Sequence, residues 1–536
     1  MIVLRSKFSL SSQHFLLLVS AVYTFGFNFP FLSHAYQGAF ATPNTSLTFV
    51  LALPALLFAL QYLFFSLLLW PRVHKVFLII VTLLSLGVLY GLVAFGVVFD
   101  KSMLRNVIET DVAEASSYLS WPLFMALGVG GTCVTALIWR TEVVFAPPLS
   151  EVSRRLLTSL VLLVLGGGLT WLDYEEFAAT GRNNSKLKDE LIPFEWVSAF
   201  GSVAKTRWFS APKVYQVIDD HPVLRSFDRP RVTVVIVGET ARADHFEYNG
   251  YARETNPFTM PYGPVYFADV ESCATATAES VPCMFSDWGR REFNVVDARY
   301  RENALDIAAL AGAEVVWIDN NSSCKGVCDR QPHRRISVDA SHPLCDGQYC
   351  FDAVLLPEIR SEIESRTAQS KLIVVHEIGS HGPTYYRRYP ESMRHFTPDC
   401  QRSDIQNCSH EALLNTYDNT IRYSDFVNAE ILRLAMEFSV ELDINVMYVS
   451  DHGESLGESG VYLHGLPYVV APDEQTHVPL WIWRNQSDDW RECIRLDNSQ
   501  GPPSHDVVFH TLLDLVGVDS IVRNDKLDVI RDCDVM

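Results

Sequence analysis

Five long apolar stretches stand out in the first third of the chain. Each is close to the roughly 20 residues that a helix needs to cross a bilayer. They cover residues 14–33, 47–70, 76–99, 121–139 and 155–173. The sequence therefore predicts a transmembrane domain of five α-helices over residues 1–175. We do not expect the first stretch to be a cleavable signal, because four more follow it.

Basic residues in the loops predict the orientation of these helices. They precede the first stretch and lie between the second and third and between the fourth and fifth: Arg5, Lys7, Arg72, Lys75, Arg140, Arg154 and Arg155. Loop 34–46 has no Lys or Arg, and loop 100–120 mixes both signs of charge. The positive-inside rule then places the N-terminus in the cytoplasm. Five crossings bring the chain after residue 175 to the opposite side of the membrane.

After residue 230 the hydrophobic pattern changes to short, β-branched runs. These runs cover residues 232–237, 314–318, 372–375 and 444–449. Helical patterns, such as those of 303–312 and 411–438, separate them. Continuous apolar strands that alternate with helices are typical of a mainly parallel sheet with helices on both faces. Residues 231–536 are therefore predicted to form an α/β domain.

Residues 176–230 connect the two predicted domains. This segment is polar at first and then becomes rich in aromatic residues, namely Phe194, Trp196, Phe200, Trp208 and Phe209. Such residues can form an interfacial helix at the level of the lipid headgroups. They can equally pack against the α/β domain, and the sequence favours neither interpretation.

The formal net charge of −20 is unevenly distributed along the 536 residues. Residues 1–175 hold nine Lys/Arg and eight Asp/Glu, whereas the rest of the chain holds 34 and 55. The acidic second part argues against a nucleic-acid partner, because such binding depends on cationic side chains that neutralise phosphates. A hydrophobic content of 48% also excludes a disordered chain.

Ten of the 11 cysteines lie in the acidic second part. An even number of cysteines, several of them closely spaced, is typical of disulfides in an oxidising compartment. The alternative is a structural zinc site, but the sequence contains no paired C-x-x-C motif. The cysteines therefore agree with the loop charges in placing this part outside the cytoplasm.

Polar residues suited to chemistry follow the predicted strands. In parallel sheets, functional sites form beyond the carboxyl ends of the strands, so Glu239, His381, Asp451 and His452 are expected to converge. Two carboxylates with one or two imidazoles form a zinc-type ligand set that leaves a coordination position open, as in catalytic sites. The alternative is that Asp451 and His452 merely cap a helix, with the nearby glycines serving the turn.

A metal site of this kind needs a nucleophile, and segment 271–285 offers four small hydroxyls. They belong to Ser272, Thr275, Thr277 and Ser280. At a helix N-terminus beside a metal, the alkoxide of such a residue is stabilised by the cation and by the helix dipole. Chemistry alone does not choose among the four, and some of them are expected to serve as helix N-caps.

Five motifs carry a resemblance to a known family. They are VGET at 237–240, SCATATAESVPCMFS at 272–286, DNNSSCKGVCD at 319–329, HEIGSHGP at 376–383 and SDHGESLGESGVYLHG at 450–465. With them, essentially the whole chain resembles the inner-membrane phosphoethanolamine transferases of Gram-negative bacteria that modify lipid A, the group that includes the colistin-resistance enzymes. The resemblance implies an alkaline-phosphatase-like catalytic domain in the periplasm. One departure is Ala274, where many relatives have Gly.

The resemblance also implies roles for individual residues. Thr277 becomes the nucleophile, and one tightly held Zn²⁺ has the ligands Glu239, Thr277, Asp451 and His452. His381 and His464 face the substrate as phosphate binders or proton donors, or hold a second and looser zinc. Phosphate contacts are implied for Ser322 and Lys325, and contacts with the lipid substrate for Asn106, Thr110 and Glu114. The implied disulfides are Cys273–Cys283, Cys324–Cys328, Cys345–Cys350 and Cys400–Cys408, which leaves Cys493 and Cys533 as a remaining pair.

The implied function is transfer of phosphoethanolamine from phosphatidylethanolamine to a lipid A phosphate through a phosphoethanolamine-threonine intermediate. Such a reaction lowers the negative charge of the outer membrane and gives resistance to polymyxin. We expect a multi-pass monomer in the bacterial inner membrane. The alternatives are another acceptor such as the lipopolysaccharide core, a phosphoglycerol transferase or hydrolase of the same superfamily, and a membrane-anchored scaffold with a degenerate site. A sulfatase would need a C/S-x-P-x-R motif, and the cysteines of segment 271–285 do not lie in one.

Overall fold

The computed structural model describes residues 8–40, 46–109, 115, 120–174, 177, 185–205, 213–486, 490–491, 494 and 503–530. The chain forms two compact units. The first comprises Met1–Leu104 and Leu119–Trp208, and the second comprises Arg105–Tyr118 and Phe209–Met536. Each unit is described by itself below.

Helices dominate the chain up to residue 205. In chain order they are α1 (Ser12–Ala21), α2 (Phe29–Phe40), α3 (Leu47–Leu68), α4 (His74–Phe95), α5 (Lys101–Glu109), α6 (Trp121–Phe124), α7 (Gly131–Arg140), α8 (Pro148–Leu172) and α9 (Phe194–Ala204). Turns of π-helix extend α1 through Val22–Phe27 and join α6 to α7 through Met125–Gly130. Strands β1 (Phe8–Ser11) and β2 (Thr141–Val144) form a small parallel pair.

Four helices in the described residues are long and apolar enough to cross a membrane, namely α3, α4, the continuous stretch Trp121–Arg140 and α8. The first predicted span is a bent pair instead of a straight helix, with 53° between Ser12–Phe27 and Phe29–Gln37. Pro30 explains the break, because proline has no N–H to donate and its ring clashes with the preceding helical turn. Counting the bent pair as one span gives the five that the sequence predicts.

The fifth span begins earlier than its hydrophobic pattern indicates. The helix α8 starts at Pro148, seven residues before the predicted stretch. Glu151 lies in this extension and Arg155 directly follows it, and both are buried and paired, with Arg155 Nε 2.7 Å from Glu151 Oε1. Arg155 also donates to the carbonyls of Ser66 and Leu69 in the same unit. These charges are satisfied inside the helix bundle, so they do not end the helix.

The second unit is built on strands. They are β3 (Val223–Leu224), β4 (Arg231–Gly238), β5 (Val265–Glu271), β6 (Glu314–Asp319), β7 (His333–Arg335), β8 (Ser370–His376), β9 (Asp443–Ser450), β10 (Ser455–Leu456), β11 (Tyr462–Leu463), β12 (His477–Arg484) and β13 (Val518–Asp519). Seven of them form one sheet in the order β5-β12-β9-β4-β8-β6-β7. The five strands from β9 to β7 are parallel, whereas β12 runs antiparallel to β9 and β5. The prediction of a mainly parallel sheet is confirmed, with an antiparallel edge that the sequence analysis did not predict.

Among the described residues, seven helices accompany this sheet. They are α10 (Thr277–Met284), α11 (Val295–Ala298), α12 (Ala304–Leu310), α13 (Leu355–Glu364), α14 (His410–Glu437), α15 (Asp473–Thr476) and α16 (Asp506–Val516). The predicted helices 303–312 and 411–438 are α12 and α14, which begin after the N-caps Asn303 and Ser409. Every residue of β4 is buried, so both faces of the central strand are covered.

The described part of the second unit contains four disulfides. They pair Cys273 with Cys283, Cys324 with Cys328, Cys345 with Cys350 and Cys400 with Cys408. These four pairings confirm the prediction. Cys493 and Cys533 lie outside the described residues.

Candidate active site

The two central strands of the sheet position the candidate metal ligands. Strands β4 and β9 are parallel neighbours, with Gly238 opposite Ser450 at their carboxyl ends. Glu239 follows the first strand, and Asp451 and His452 follow the second. All three side chains are buried. Equal register at the strand ends therefore brings together residues that are more than 200 positions apart in the sequence.

Glu239, Asp451 and His452 form a compact set of possible ligands. One ligand atom from each lies within 4.8 Å of the others. His452 Nε2 is 3.6 Å from Glu239 Oε1 and 3.4 Å from Asp451 Oδ2. The latter oxygen is buried and has no hydrogen-bond partner among the described residues. Buried carboxylates without a compensating charge are costly, so this donor set fits a divalent cation of the zinc type.

Thr277 lies directly against this set as the first residue of α10. Its Oγ1 is 3.3 and 3.2 Å from the two carboxylate oxygens of Glu239, and 3.2 Å from His452 Nε2. Each of the other three candidate hydroxyls donates to a backbone carbonyl: Ser272 to Ala274, Thr275 to Leu466, and Ser280 to Asp451. Of the four hydroxyls that the sequence left open, Thr277 is the one aimed at the ligand set.

Hydrogen bonds from neighbouring residues orient the ligands. His452 Nδ1 is 2.8 Å from the carbonyl oxygen of Gly453, which leaves Nε2 to face Glu239 and Thr277. Burial lowers the pKa of His452 to about 4, so its imidazole is neutral at physiological pH, as a metal ligand must be. Gly453 is required here, because a Cβ at this position would lie 2.1 Å from the carbonyl oxygen of Glu474.

Asn321 holds the carboxylate of Glu239 from the other side. Its Nδ2 donates to Glu239 Oε2 at 2.8 Å and to the carbonyl oxygen of Glu377 at 2.9 Å. Behind it, Asp319 Oδ2 lies 3.0 Å from His376 Nδ1. Asn321 lies in the motif at 319–329, but no role was predicted for it from the sequence. Its amide-to-carboxylate contact depends on the pairing of distant strands.

A second group of titratable residues adjoins the first. His464 Nδ1 is 2.7 Å from Glu454 Oε2, and the rings of His464 and His452 have centroids 4.3 Å apart. His452, Glu454 and His464 also offer ligand atoms within 4.8 Å of one another. Burial raises the pKa of Glu454 to about 8. The ring of His381 lies 5.8 Å from that of His464, so both predicted histidines are at the site.

Comparison with known proteins decides the family. Residues 57–208 match the family described as phosphoethanolamine transferase EptA/EptB, and residues 231–518 match the sulfatase family. The phosphoethanolamine transferase EptA of Escherichia coli strain K12 is 38% identical over 465 residues, which cover 83% of each protein. The chain belongs to the phosphoethanolamine transferase family. The phosphatidylethanolamine transferase Mcr-1 of Escherichia coli is 34% identical over 500 residues, covering 91% of this chain and 92% of Mcr-1.

A solved structure of the same family extends over nearly the entire chain. The integral membrane protein lipooligosaccharide phosphoethanolamine transferase A of Neisseria meningitidis is 33% identical, with a TM-score of 0.91. The match covers 98% of this chain and 99% of that structure. The predicted fold class and the predicted enzyme class are thereby confirmed.

The residues predicted to contact substrate have different surroundings. Lys325 is buried and donates from Nζ to Ser322 Oγ at 2.6 Å, with no ion pair among the described residues. A buried ammonium next to a hydroxyl can donate hydrogen bonds to phosphoryl oxygens. Asn106 is buried in α5, whereas Thr110 and Glu114 lie outside the described residues. Glu454 is a site residue that sequence analysis missed, although it lies inside the SDHGES motif.

Proposed function

We propose that this transferase moves phosphoethanolamine from phosphatidylethanolamine to a phosphate of lipid A through a covalent intermediate on Thr277. The observation that carries the proposal is the position of Thr277 Oγ1, which lies 3.2–3.3 Å from both Glu239 and His452. The names of Mcr-1, a phosphatidylethanolamine transferase, and of the Neisseria protein, a lipooligosaccharide phosphoethanolamine transferase, support the donor and the class of acceptor.

We further propose that Glu239, Thr277, Asp451 and His452 hold one zinc ion. When bound, zinc would lower the pKa of the Thr277 hydroxyl and offset the negative charge that builds on the phosphoryl oxygens. The unsatisfied oxygen of Asp451 and the neutral imidazole of His452 support this assignment. The alternative to a proton-donor role for His381 and His464 is that they hold a second and looser zinc, for which Glu454 beside His464 would be a further ligand.

In the first step, Thr277 Oγ1 forms a bond to the phosphorus of phosphatidylethanolamine. The bond between that phosphorus and the diacylglycerol oxygen breaks. Thr277 loses one proton and the departing oxygen gains one, so diacylglycerol leaves as a neutral alcohol. His464 and His381 are the proposed proton donors, because both rings adjoin the ligand set.

In the second step, a phosphate oxygen of lipid A attacks the phosphorus of the threonine-bound phosphoethanolamine. The bond to Thr277 Oγ1 breaks, and this oxygen recovers a proton, which restores the hydroxyl. Lys325 and Ser322 are proposed to contact the phosphoryl oxygens during both steps. The product is a lipid A phosphate capped by a cationic headgroup, and its lower negative charge would weaken the binding of polymyxin.

The location follows from the proposed substrates. We propose that residues 1–175 anchor the chain in the inner membrane, that 176–230 connect it, and that 231–536 catalyse transfer in the periplasm. The N-terminus would be cytoplasmic. Four disulfides in the second unit support an oxidising compartment for it.

Lipid A from cells with and without this protein tests the proposed function. We expect the mass of lipid A to rise by one phosphoethanolamine group for each modified phosphate. The size of this increase identifies the group that the donor supplies, and its presence on lipid A identifies the acceptor. Mass spectrometry of extracted lipid A is the measurement. An increment on the core sugars instead would mean that the acceptor is wrong, and a glycerophosphate increment would mean that the donor is wrong.

A further inference from the structure

Thr240 has a backbone conformation that is unusual for its residue type. It follows the candidate ligand Glu239 directly after β4, and its φ of 51° lies in the left-handed region. A β-branched residue is sterically disfavoured there, because its side chain crowds the neighbouring backbone. Such a conformation persists only where the surrounding structure holds it in place.

The side chain of Thr240 does not hold this conformation. The residue is fully buried, and its Oγ1 has no hydrogen-bond partner among the described residues. The backbone, by contrast, is bonded through both of its polar groups: the N–H donates to Asp451, and the carbonyl oxygen accepts from Tyr417. The conformation is therefore maintained through the backbone of this turn.

The hydroxyl of Tyr417 bridges two backbone groups of the turn. It donates to the carbonyl oxygen of Thr240 at 2.7 Å and accepts from the N–H of Arg242 at 3.0 Å. Tyr417 lies in α14 and is fully buried, with its ring in edge contact with the rings of His245 and Tyr385. Because this packing fixes the ring, its hydroxyl can fix the separation of the two backbone groups.

The same turn places the N–H of Thr240 against the candidate ligand Asp451. This N–H donates to Oδ1 at 3.2 Å, and the N–H of His452 donates to the same oxygen at 2.8 Å. The other oxygen, Oδ2, has no hydrogen-bond partner among the described residues and lies 3.4 Å from His452 Nε2. Two backbone donors on one oxygen thus orient the carboxylate and leave the second oxygen for a cation.

The next residue joins the turn to β9. The N–H of Ala241 donates to Ser450 Oγ at 2.9 Å, and Ser450 ends β9 directly before the other two candidate ligands. Glu239, Thr240 and Ala241 therefore supply in order a ligand, a donor to a ligand and a contact with the neighbouring strand. This arrangement depends on the conformation of the middle residue.

We propose that Tyr417 is a positioning residue of the metal site and acts through Thr240. Its hydroxyl holds Thr240 in the left-handed conformation, and the N–H of Thr240 then orients Asp451 so that Oδ2 is available to the cation. Loss of a residue that orients a metal ligand typically lowers metal affinity ten- to hundredfold. This inference rests on the proposed zinc site and adds to it a residue that lies outside the five sequence motifs.

The zinc affinity of Tyr417→Phe tests the proposal. The purified full-length chain is loaded with Zn²⁺ and equilibrated with a competing chelator, and its bound zinc is measured by elemental analysis. Phenylalanine keeps the ring and removes only the hydroxyl, so we expect the zinc affinity to fall about tenfold. The melting temperature of the zinc-free chain measures any general destabilisation separately.

Two further variants separate positioning from destabilisation. Glycine adopts the left-handed conformation without steric cost, so Thr240→Gly combined with Tyr417→Phe should regain most of the lost zinc affinity. Tyr423→Phe is the matched control, because Tyr423 lies in the same helix and its hydroxyl accepts from the N–H of Ala353 at 3.4 Å. Among the described residues, no hydrogen bond joins Tyr423 to the turn at Thr240, so this variant should bind zinc as the unaltered protein does.

Unchanged zinc affinity in Tyr417→Phe would overturn the proposal, and so would an equal fall in Tyr423→Phe. A fall that Thr240→Gly does not reverse would overturn it as well, since the hydroxyl would then act by a route other than the conformation of Thr240. If the unaltered chain held no zinc, the proposed zinc site itself would be wrong.

Discussion

Replacing Thr277 with Ala is expected to lower phosphoethanolamine transfer by at least about a thousandfold. The variant keeps the helix α10 and the ligands Glu239, Asp451 and His452 but removes the oxygen that forms the covalent bond. Transfer from fluorescent phosphatidylethanolamine to lipid A, measured with the purified chain, checks this result. Thr277→Ser should retain a substantial part of the activity, because it keeps a hydroxyl at the same position.

Thr275→Ala is the matched control for this variant. Thr275 lies two residues away in the same disulfide-bracketed segment, and its hydroxyl donates to the carbonyl oxygen of Leu466. Its loss should destabilise the segment slightly and leave transfer largely intact. If Thr275→Ala abolished transfer while Thr277→Ala did not, the assignment of the nucleophile would be wrong.

The second large effect is expected on metal binding. Asp451→Asn should lower zinc affinity by more than about a hundredfold, because it removes an anionic ligand from a buried set, and transfer should fall with it. Asn321→Ala should lower affinity about ten- to hundredfold, since Asn321 orients Glu239 without being a ligand. Zinc content after equilibration with a competing chelator measures both effects.

Asn320→Ala is the control that separates loss of the contact orienting Glu239 from a general destabilisation of this part of the fold. Asn320 follows the same strand as Asn321, but its amide donates to Cys350 and Asp352 and does not contact Glu239. We expect its zinc affinity to match that of the unaltered protein. Equal zinc content in Asp451→Asn and the unaltered protein under chelation would contradict the proposed ligand set.

The convergence of the site was predictable because it depends on a topological rule. Glu239, Asp451 and His452 follow strands that can be recognised in the sequence as apolar runs. The carboxyl ends of parallel strands lie at the same edge of the sheet. The same rule placed His381 near them. The residue types alone could not identify Thr277 among the four hydroxyls. Its position depends on where α10 begins, and the other three hydroxyls are excluded by hydrogen bonds to backbone carbonyls that only the structure shows.

Other features depend on tertiary contacts that leave no local pattern. The role of Asn321 comes from a strand pairing that brings its amide to Glu239, and that of Glu454 from a contact with His464. The early start of α8 has the same origin, because Glu151 looks like a loop charge until it is seen paired with Arg155. Hydrophobic periodicity indicates which positions are buried. It does not indicate which buried polar groups form hydrogen bonds or ion pairs with one another.

The mass of the purified chain after incubation with phosphatidylethanolamine tests the central claim most directly. We predict an increase of one phosphoethanolamine group, located by peptide fragmentation on Thr277 and lost again when lipid A is added. Thr277→Ala should show no increase under the same conditions. A group found on another residue of segment 271–285, or lipid A modified without any covalent adduct on the protein, would contradict the account.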